Sequence, residues 1–254
     1  MKIFSFKNLV HLIKALNERV EEIKVSKFEV ISKADQSPLT IADEFVQDEL
    51  SKFVSETQCH NIISEEIKNL DYENRKDWDM YWVIDPIDGT KEFISQGSDY
   101  TINIALCDTS GPIFGLVSCP ATGEIYYAFK GKGAFKGQEV IRVKKKEGMV
   151  RIVASKSHLN QESTDFINEI SKNSNVEIKN FGSSLKICKI AEGKADIYPR
   201  FGPTSEWDIA AGHIILEEAG GKLKTIDNKD ILYNTKDDIL NPHFIAYGNL
   251  SKVD

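Results

Sequence analysis

The stretch from Tyr81 to Thr90, Tyr-Trp-Val-Ile-Asp-Pro-Ile-Asp-Gly-Thr, passes from a bulky apolar lead-in straight to two carboxylates, Asp85 and Asp88. Like charges at the end of a buried strand repel each other and lose hydration, and a shared cation relieves both penalties. Magnesium suits such a pair, because it is hard, takes oxygen ligands and keeps several waters. Pro86 stiffens the turn, and Gly89 lets the backbone approach a bound group closely. A helix starting near Gly89-Thr90 would aim its free N–H groups at an anion, so metals plus a phosphate would account for the whole stretch. The competing explanation is a turn in which an aspartate caps the following helix. One aspartate would fit that explanation; two beside a bulky apolar strand favour the metal.

Other acids fit the same chemistry, although each also has a plain structural explanation. Glu65 and Glu66 end a second strand-like run, Asn61-Ile62-Ile63-Ser64, and alone would be a solvated pair. Asp208 falls in the first turn of an expected helix, where the macrodipole by itself favours a negative charge. Thr40 and Asp43 have the spacing of an N-terminal capping box. Together the acids form a more specific set than any of them does alone.

These residues need elements to position them. Leu9, Leu12, Ile13, Leu16, Val20 and Ile23 recur at helical spacing, and a second helix is expected over Thr40 to Val54. From Tyr100 to Val140 the pattern is that of strands separated by Ser-Gly-Pro and Ala-Thr-Gly turns. The run Val143–Gly148, rich in lysine, reads as a solvated boundary. Beyond it a second half begins at Arg151–His158 and continues through a helix over Ser183–Ala191, a strand at Ala195–Phe201, and a helix over Trp207–Ala219 stopped by Gly220-Gly221. Short strand-like pieces are expected around Ile231-Leu232 and Phe244-Ile245-Ala246. No regular βαβ rhythm emerges, which points to a layered α+β architecture in two subdomains, residues 1–148 and 149–254.

Bulk properties narrow the function classes. The chain of 254 residues is 41% hydrophobic and 28% charged, an ordinary globular composition. Acids outnumber bases 39 to 32, a net charge of −7, which argues against a nucleic-acid or anionic-membrane binder. The four cysteines, Cys59, Cys107, Cys119 and Cys188, show no metal spacing and sit among apolar neighbours, as expected of reduced, buried thiols in a cytoplasmic protein. The first residues lack the long apolar run of a signal peptide or membrane span.

The order Thr40-Ile-Ala-Asp43, Ser64-Glu-Glu66, Asp85-Pro-Ile-Asp-Gly-Thr90 and Trp207-Asp-Ile-Ala-Ala-Gly212 resembles a known group of enzymes. This is the lithium-sensitive, magnesium-dependent phosphatase superfamily of inositol monophosphatases, fructose-1,6-bisphosphatases and 3'(2'),5'-bisphosphate nucleotidases. The similarity spans nearly the whole chain. The segments 35–43, 88–94, 182–208 and 240–244 are similar to the bacterial CysQ-type bisphosphate nucleotidase branch. Inositol monophosphatases typically have Thr-Asn in place of Lys91-Glu92 and lack the Tyr198–Thr204 segment.

The resemblance implies a layered αβαβα sandwich of the inositol monophosphatase and fructose-1,6-bisphosphatase type. It also implies two or three magnesium ions. One would be bound by Glu65, Asp85 and the carbonyl of Ile87, a second by Asp85, Asp88 and Asp208, and a weaker third would lie near Glu65. Thr90, hydrogen-bonded to Asp43, would orient and help deprotonate the attacking water. The N–H groups of Gly89 and Thr90 would hold the scissile phosphate. His158, Ser183, Lys186 and Arg200 would contact the 5'-phosphate side and the adenosine, arginine being suited to fork onto phosphate. The implied reaction removes the 3'-phosphate of 3'-phosphoadenosine 5'-phosphate to give AMP, in a monomer or homodimer; some bacterial relatives associate peripherally with the inner membrane. The rivals are an inositol or sugar-phosphate phosphatase of the same superfamily and, more distantly, a non-enzymatic module that binds divalent cations or phosphorylated ligands. Glu206 adds a further acid beside Asp208.

Overall fold

The computed structural model describes residues 3–26, 30–32, 38–68, 71–144, 148–155 and 160–249. Helix α1 (Phe6–Val25) buries Leu9, Ile13, Leu16, Val20 and Ile23, a stripe at three- and four-residue intervals, while Leu12 of the same set is half-buried. A hairpin of β1 (Val30–Ser32) and β2 (Pro38–Thr40) leads into α2 (Ile41–Ser55), with Thr40 as its N-cap. These two helices form the first layer.

The second layer is a seven-stranded sheet in chain order. It comprises β3 (Ile62–Ser64), β4 (Met80–Asp88), β5 (Thr101–Asp108), β6 (Gly111–Cys119), β7 (Glu124–Phe129), β8 (Ala134–Lys136) and β9 (Glu139–Ile141). Strands β3 and β4 run parallel, and the other neighbours are antiparallel. The short helices α3 (Tyr72–Arg75) and α4 (Thr90–Ile94) connect β3 to β4 and β4 to β5. Both faces of the sheet are covered, so its central strands are apolar almost throughout, yet the two-residue alternation still divides them. Trp82, Ile84, Ile104, Leu106 and Leu116 pack under α1 and α2, whereas Tyr81, Val83, Ala105, Cys107 and Val117 belong to the core on the opposite face.

The rest of the chain supplies β10 (Val150–Ser155), α5 (Gln161–Asn173), β11 (Val176–Phe181), α6 (Leu185–Ala191), β12 (Ile197–Arg200), α7 (Glu206–Glu218), β13 (Lys222–Thr225) and β14 (Phe244–Tyr247). Its five strands form a second, mixed sheet in the order β11-β10-β12-β14-β13. Helices α6 and α7 lie between the two sheets, and their residues share one continuous core with both. Ile167 of α5 packs on Ile152, Ala154 and Ile197 at the outer face of the second sheet. The layers therefore read αβαβα, as the resemblance implies.

Helix α7 is apolar on nearly every side, which suits a helix enclosed between two sheets. It lies so close to β6 that a Cβ on Gly115 would stand 2.5 Å from both the Ala211 carbonyl oxygen and the Ile214 Cγ2. The helix expected from Ser183 starts at Leu185, because Ser183 has φ +48, outside the helical region. The segment at Ile231-Leu232 is not a strand: Ile231 is buried, Leu232 is exposed, and only the adjacent Asp230 forms an isolated bridge, to Lys224. All four cysteines are buried free thiols. No helix among the described residues is long and apolar enough to cross a membrane.

Candidate active site

Residues three apart on a regular strand point to opposite faces. Asp85 pairs with Asn103 and Asp88 with Thr101, so three steps along β4 oppose two along β5. The extra residue is a bulge at Pro86-Ile87, where a proline is tolerated, and it turns Asp88 to the same side as Asp85. Ile87 meanwhile goes to the core under α1 and α2. The strand ends at Asp88, and the next residue is Gly89, whose φ of +91 and whose approach to the Asp99 carbonyl would strain any side chain.

Asp85 is fully buried, and neither of its carboxylate oxygens has a hydrogen-bond partner. One oxygen each from Asp85, Asp88 and Asp208 lie within 4.8 Å of one another. Burial, followed by the charges of Glu65, Asp88 and Asp208, drives the Asp85 carboxyl well above its ordinary range. Burial also lifts Asp88 to about 6, against the pull of Lys186 and the Ser184 N–H, and it lifts Asp208 to about 7 with help from Asp88. Orphaned buried carboxylate oxygens are costly, and a hard divalent cation is the partner this all-oxygen donor set fits.

Glu65 follows β3, its N–H donating to the Ile84 carbonyl at 3.4 Å, and Ser64 beside it donates to Gln47 of α2. Asp208 is the third residue of α7 and accepts from the Ser205 N–H at 2.7 Å. Asp43 occupies the equivalent position in α2 and accepts from the Thr40 N–H at 2.8 Å and the Thr40 hydroxyl at 2.6 Å. Each aspartate thus commits one oxygen, Oδ2, to its N-cap.

From the first half of the chain, Glu65, Asp85, Ile87, Asp88, Gly89 and Thr90 line a cleft of about 300 Å³. Ser183, Lys186, Arg200 and Asp208 line it from the second half. Asp43 does not line it. The expected bond between Thr90 and Asp43 is also not formed: the Thr90 hydroxyl donates to the Ile87 carbonyl at 3.1 Å, and Asp43 is held by Thr40. The reason is local, since the capping partner lies within the same helical turn as Asp43. Burial raises Asp43 to about 7 despite those two bonds. His158 lies outside the described residues.

Opposite the acids, the buried Lys186 ammonium donates to the Ser183 carbonyl at 2.6 Å and sits 5.3 Å from the centre of the Tyr198 ring. Burial lowers it to about 8, with Asp88 resisting and Arg200 assisting. Arg200 donates through Nη2 to the Pro203 carbonyl at 2.8 Å, while its buried Nε has no partner.

Three site residues escaped the sequence reading. Ser184 donates its N–H to Asp88 Oδ2 at 2.5 Å and its hydroxyl to Asn103 Oδ1 at 2.8 Å. Thr101 Oγ1 lies 2.8 Å from that hydroxyl, and the Asn103 amide reaches Asp88 Oδ2 at 3.4 Å. A signal did exist. Thr101 and Asn103 alternate on one face of an otherwise apolar strand, where buried polar groups must find partners. Glu206, in contrast, is buried away from the cleft and accepts from the Asn234 N–H with both oxygens, at 2.9 and 3.1 Å.

A model of the inositol monophosphatase family matches residues 4–252. The 3'(2'),5'-bisphosphate nucleotidase CysQ of Escherichia coli strain K12 is 38% identical over 226 residues, spanning 85% of this chain and 87% of the relative. CysQ of Salmonella typhimurium is 38% identical over 235 residues with the same coverage, 85% and 87%. A crystal structure of CysQ from Bacteroides thetaiotaomicron, a bacterial member of the inositol monophosphatase family, matches at a TM-score of 0.85 and 37% identity, covering 97% of this chain and 99% of that one. An IMPase/NADP phosphatase complexed with Mg2+ and phosphate shares the fold at a TM-score of 0.80 and 22% identity, over 96% of this chain and 90% of that one. With its bulged Asp85–Asp88 turn, its Asp208 facing them from a helix between two sheets, and these matches along its length, the chain belongs to the inositol monophosphatase family.

Proposed function

We propose that the cleft hydrolyses phosphomonoesters and that the chain is a magnesium-dependent 3'(2'),5'-bisphosphate nucleotidase, converting 3'-phosphoadenosine 5'-phosphate to AMP and phosphate. The observation that carries this reading is the meeting of Asp85 and Asp88 with Asp208, from opposite halves of the chain, within 4.8 Å. The CysQ relatives, similar along most of the chain, give the substrate class. Two ions suit the donors: one on Glu65, Asp85 and the Ile87 carbonyl, the other on Asp85, Asp88 and Asp208. Magnesium held there supplies charge neutralisation and a water of lowered pKa.

The chain's own groups do the remaining work. The Thr90 hydroxyl, which donates to the Ile87 carbonyl, lines the cleft and would orient the attacking water. Asp43, raised to about 7, would receive a proton near neutral pH only once it exchanges its Thr40 hydroxyl bond for one from Thr90. The N–H groups of Gly89 and Thr90, at the start of α4, hold the scissile phosphate. Lys186 and Arg200 take the second phosphate, and Ser183 lines the same side. A monophosphate such as inositol 1-phosphate would bring no second phosphate to that cationic pair, which favours a bisphosphate over the sugar-phosphate alternative.

Phosphate release is to be measured with 3'-phosphoadenosine 5'-phosphate and inositol 1-phosphate side by side, in magnesium and in chelator. Faster release from the bisphosphate, abolished by chelator, is the expected result. Faster release from inositol 1-phosphate would overturn the substrate class, and no release from either would overturn the phosphatase.

A further inference from the structure

Glu206 stands two residues before Asp208, at the first position of α7, yet it does not line the cleft. Its carboxylate receives the Asn234 N–H on both oxygens. The Asn234 side chain in turn joins Arg75: its amide nitrogen donates to the Arg75 carbonyl at 2.8 Å, and its amide oxygen accepts from Arg75 Nη1. Arg75 Nη2 donates to the carbonyls of Lys236 and Asp237, both at 2.7 Å. Arg75, Asn234 and Glu206 are all buried. Arg75 ends α3, on the connection between Glu65 and Asp85, so the network ties the chain carrying those acids to the helix carrying Asp208.

Such a tie matters because most of α7 is held by apolar packing, which is non-directional, whereas hydrogen bonds fix direction to within tens of degrees. Among the described residues, the helix's other hydrogen bonds to distant partners lie at the Glu206 N–H, which donates to the Ile239 carbonyl, at His213, with Tyr233, and at the far end, where Glu218 accepts from the Gly131 and Gly133 N–H groups. We infer that Arg75, Asn234 and Glu206 form a positioning network that sets the affinity of the cleft for magnesium by fixing the N-terminus of α7. The inference rests on the reading of Asp208 as a metal ligand.

Full-length wild type, Glu206→Gln and Asn234→Gly are to be titrated with magnesium alone by calorimetry, with Ile167→Ala in the outer helix as a control for lost stability. Glycine suits the Asn234 position because φ there is +50, so that variant removes the side-chain bridge without adding strain. If Glu206→Gln does not fold, Asn234→Gly carries the test by itself. Loss of partners behind ligands elsewhere weakens metal binding roughly 10–100-fold, and a rise in Kd of about tenfold is expected for Glu206→Gln, with a smaller one for Asn234→Gly. Ile167→Ala should melt earlier with an unchanged Kd. Variants that melt earlier but keep Kd within about twofold of wild type would reduce the network to a structural anchor and overturn the inference. Absence of magnesium binding by wild type would overturn the metal reading with it, whereas normal binding by wild type and variants alike would sink this inference only.

Discussion

The N-termini of α2 and α7 are near copies at the level of sequence and diverge in use. Both carry a hydroxyl residue at the N-cap and an aspartate three residues later whose Oδ2 accepts from the N-cap backbone, Thr40 with Asp43 and Ser205 with Asp208. Asp208 joins Asp85 and Asp88 around a point that could hold a cation, whereas Asp43 is tied by a second bond from the Thr40 hydroxyl and does not line the cleft. A capping box orients an aspartate; what lies in front of that aspartate decides whether it becomes a ligand. In α7 the facing group is the bulged end of β4, with two carboxylates already there.

The comparison breaks most sharply under substitution. Asp208→Asn should lower phosphate release by at least about 10³-fold, the equivalent of several kcal/mol of lost charge stabilisation, and should shrink the rise in Tm on adding magnesium, since only one of the two ions uses Asp208. Near-normal turnover would remove Asp208 from the ligands. Asp43→Asn should cost about 10²-fold, in the range of a lost proton acceptor, while the magnesium-induced rise in Tm survives. Loss of that rise would mean that the two helix ends do the same job.

A smaller effect concerns stability against pH. Burial raises Asp43 and Asp208 to about 7 and Asp88 to about 6, and it raises Asp85 as well. A carboxyl raised in the fold contributes its stability while protonated and loses it as pH climbs through the folded value. The chelated protein should therefore melt higher at about pH 5.5 than at about pH 7.5. Lys186, lowered to about 8, acts mainly above that range. At about pH 7.5 without metal, Asp208→Asn should melt a few degrees above wild type, since it removes one unpaired charge. A variant that melts lower at that pH would show that the three acids are not in conflict without metal.

Much of the fold was legible. The apolar stripe of α1, the helical spacing of α2 and the alternating strands from Thr101 onward carry strong periodic signals, because each buries a full face. Helix α5 and strands β11 and β13 did not stand out. Among its described residues α5 buries only Ser163 and Ile167, and β11 is an edge strand that leaves Ile178 exposed, so neither needs a clean pattern. The acids of the site were visible because charges beside a buried strand conflict with burial. Their supports Thr101, Asn103 and Ser184 were not, because small polar residues are common and their partners lie on other elements.

By itself the sequence determined which carboxylates were out of place, which residues could cap a helix, and where chain periodicity demanded a core. Only the tertiary structure decided that the bulge at Pro86-Ile87 turns Asp88 towards Asp85, that Asp208 meets them and Asp43 does not, and that Glu206 points away to Asn234. The reason is range. Spacing along the chain dictates contacts within a turn or a strand, whereas the contacts that make this cleft span two sheets and the helix between them, and layer packing alone brings them together.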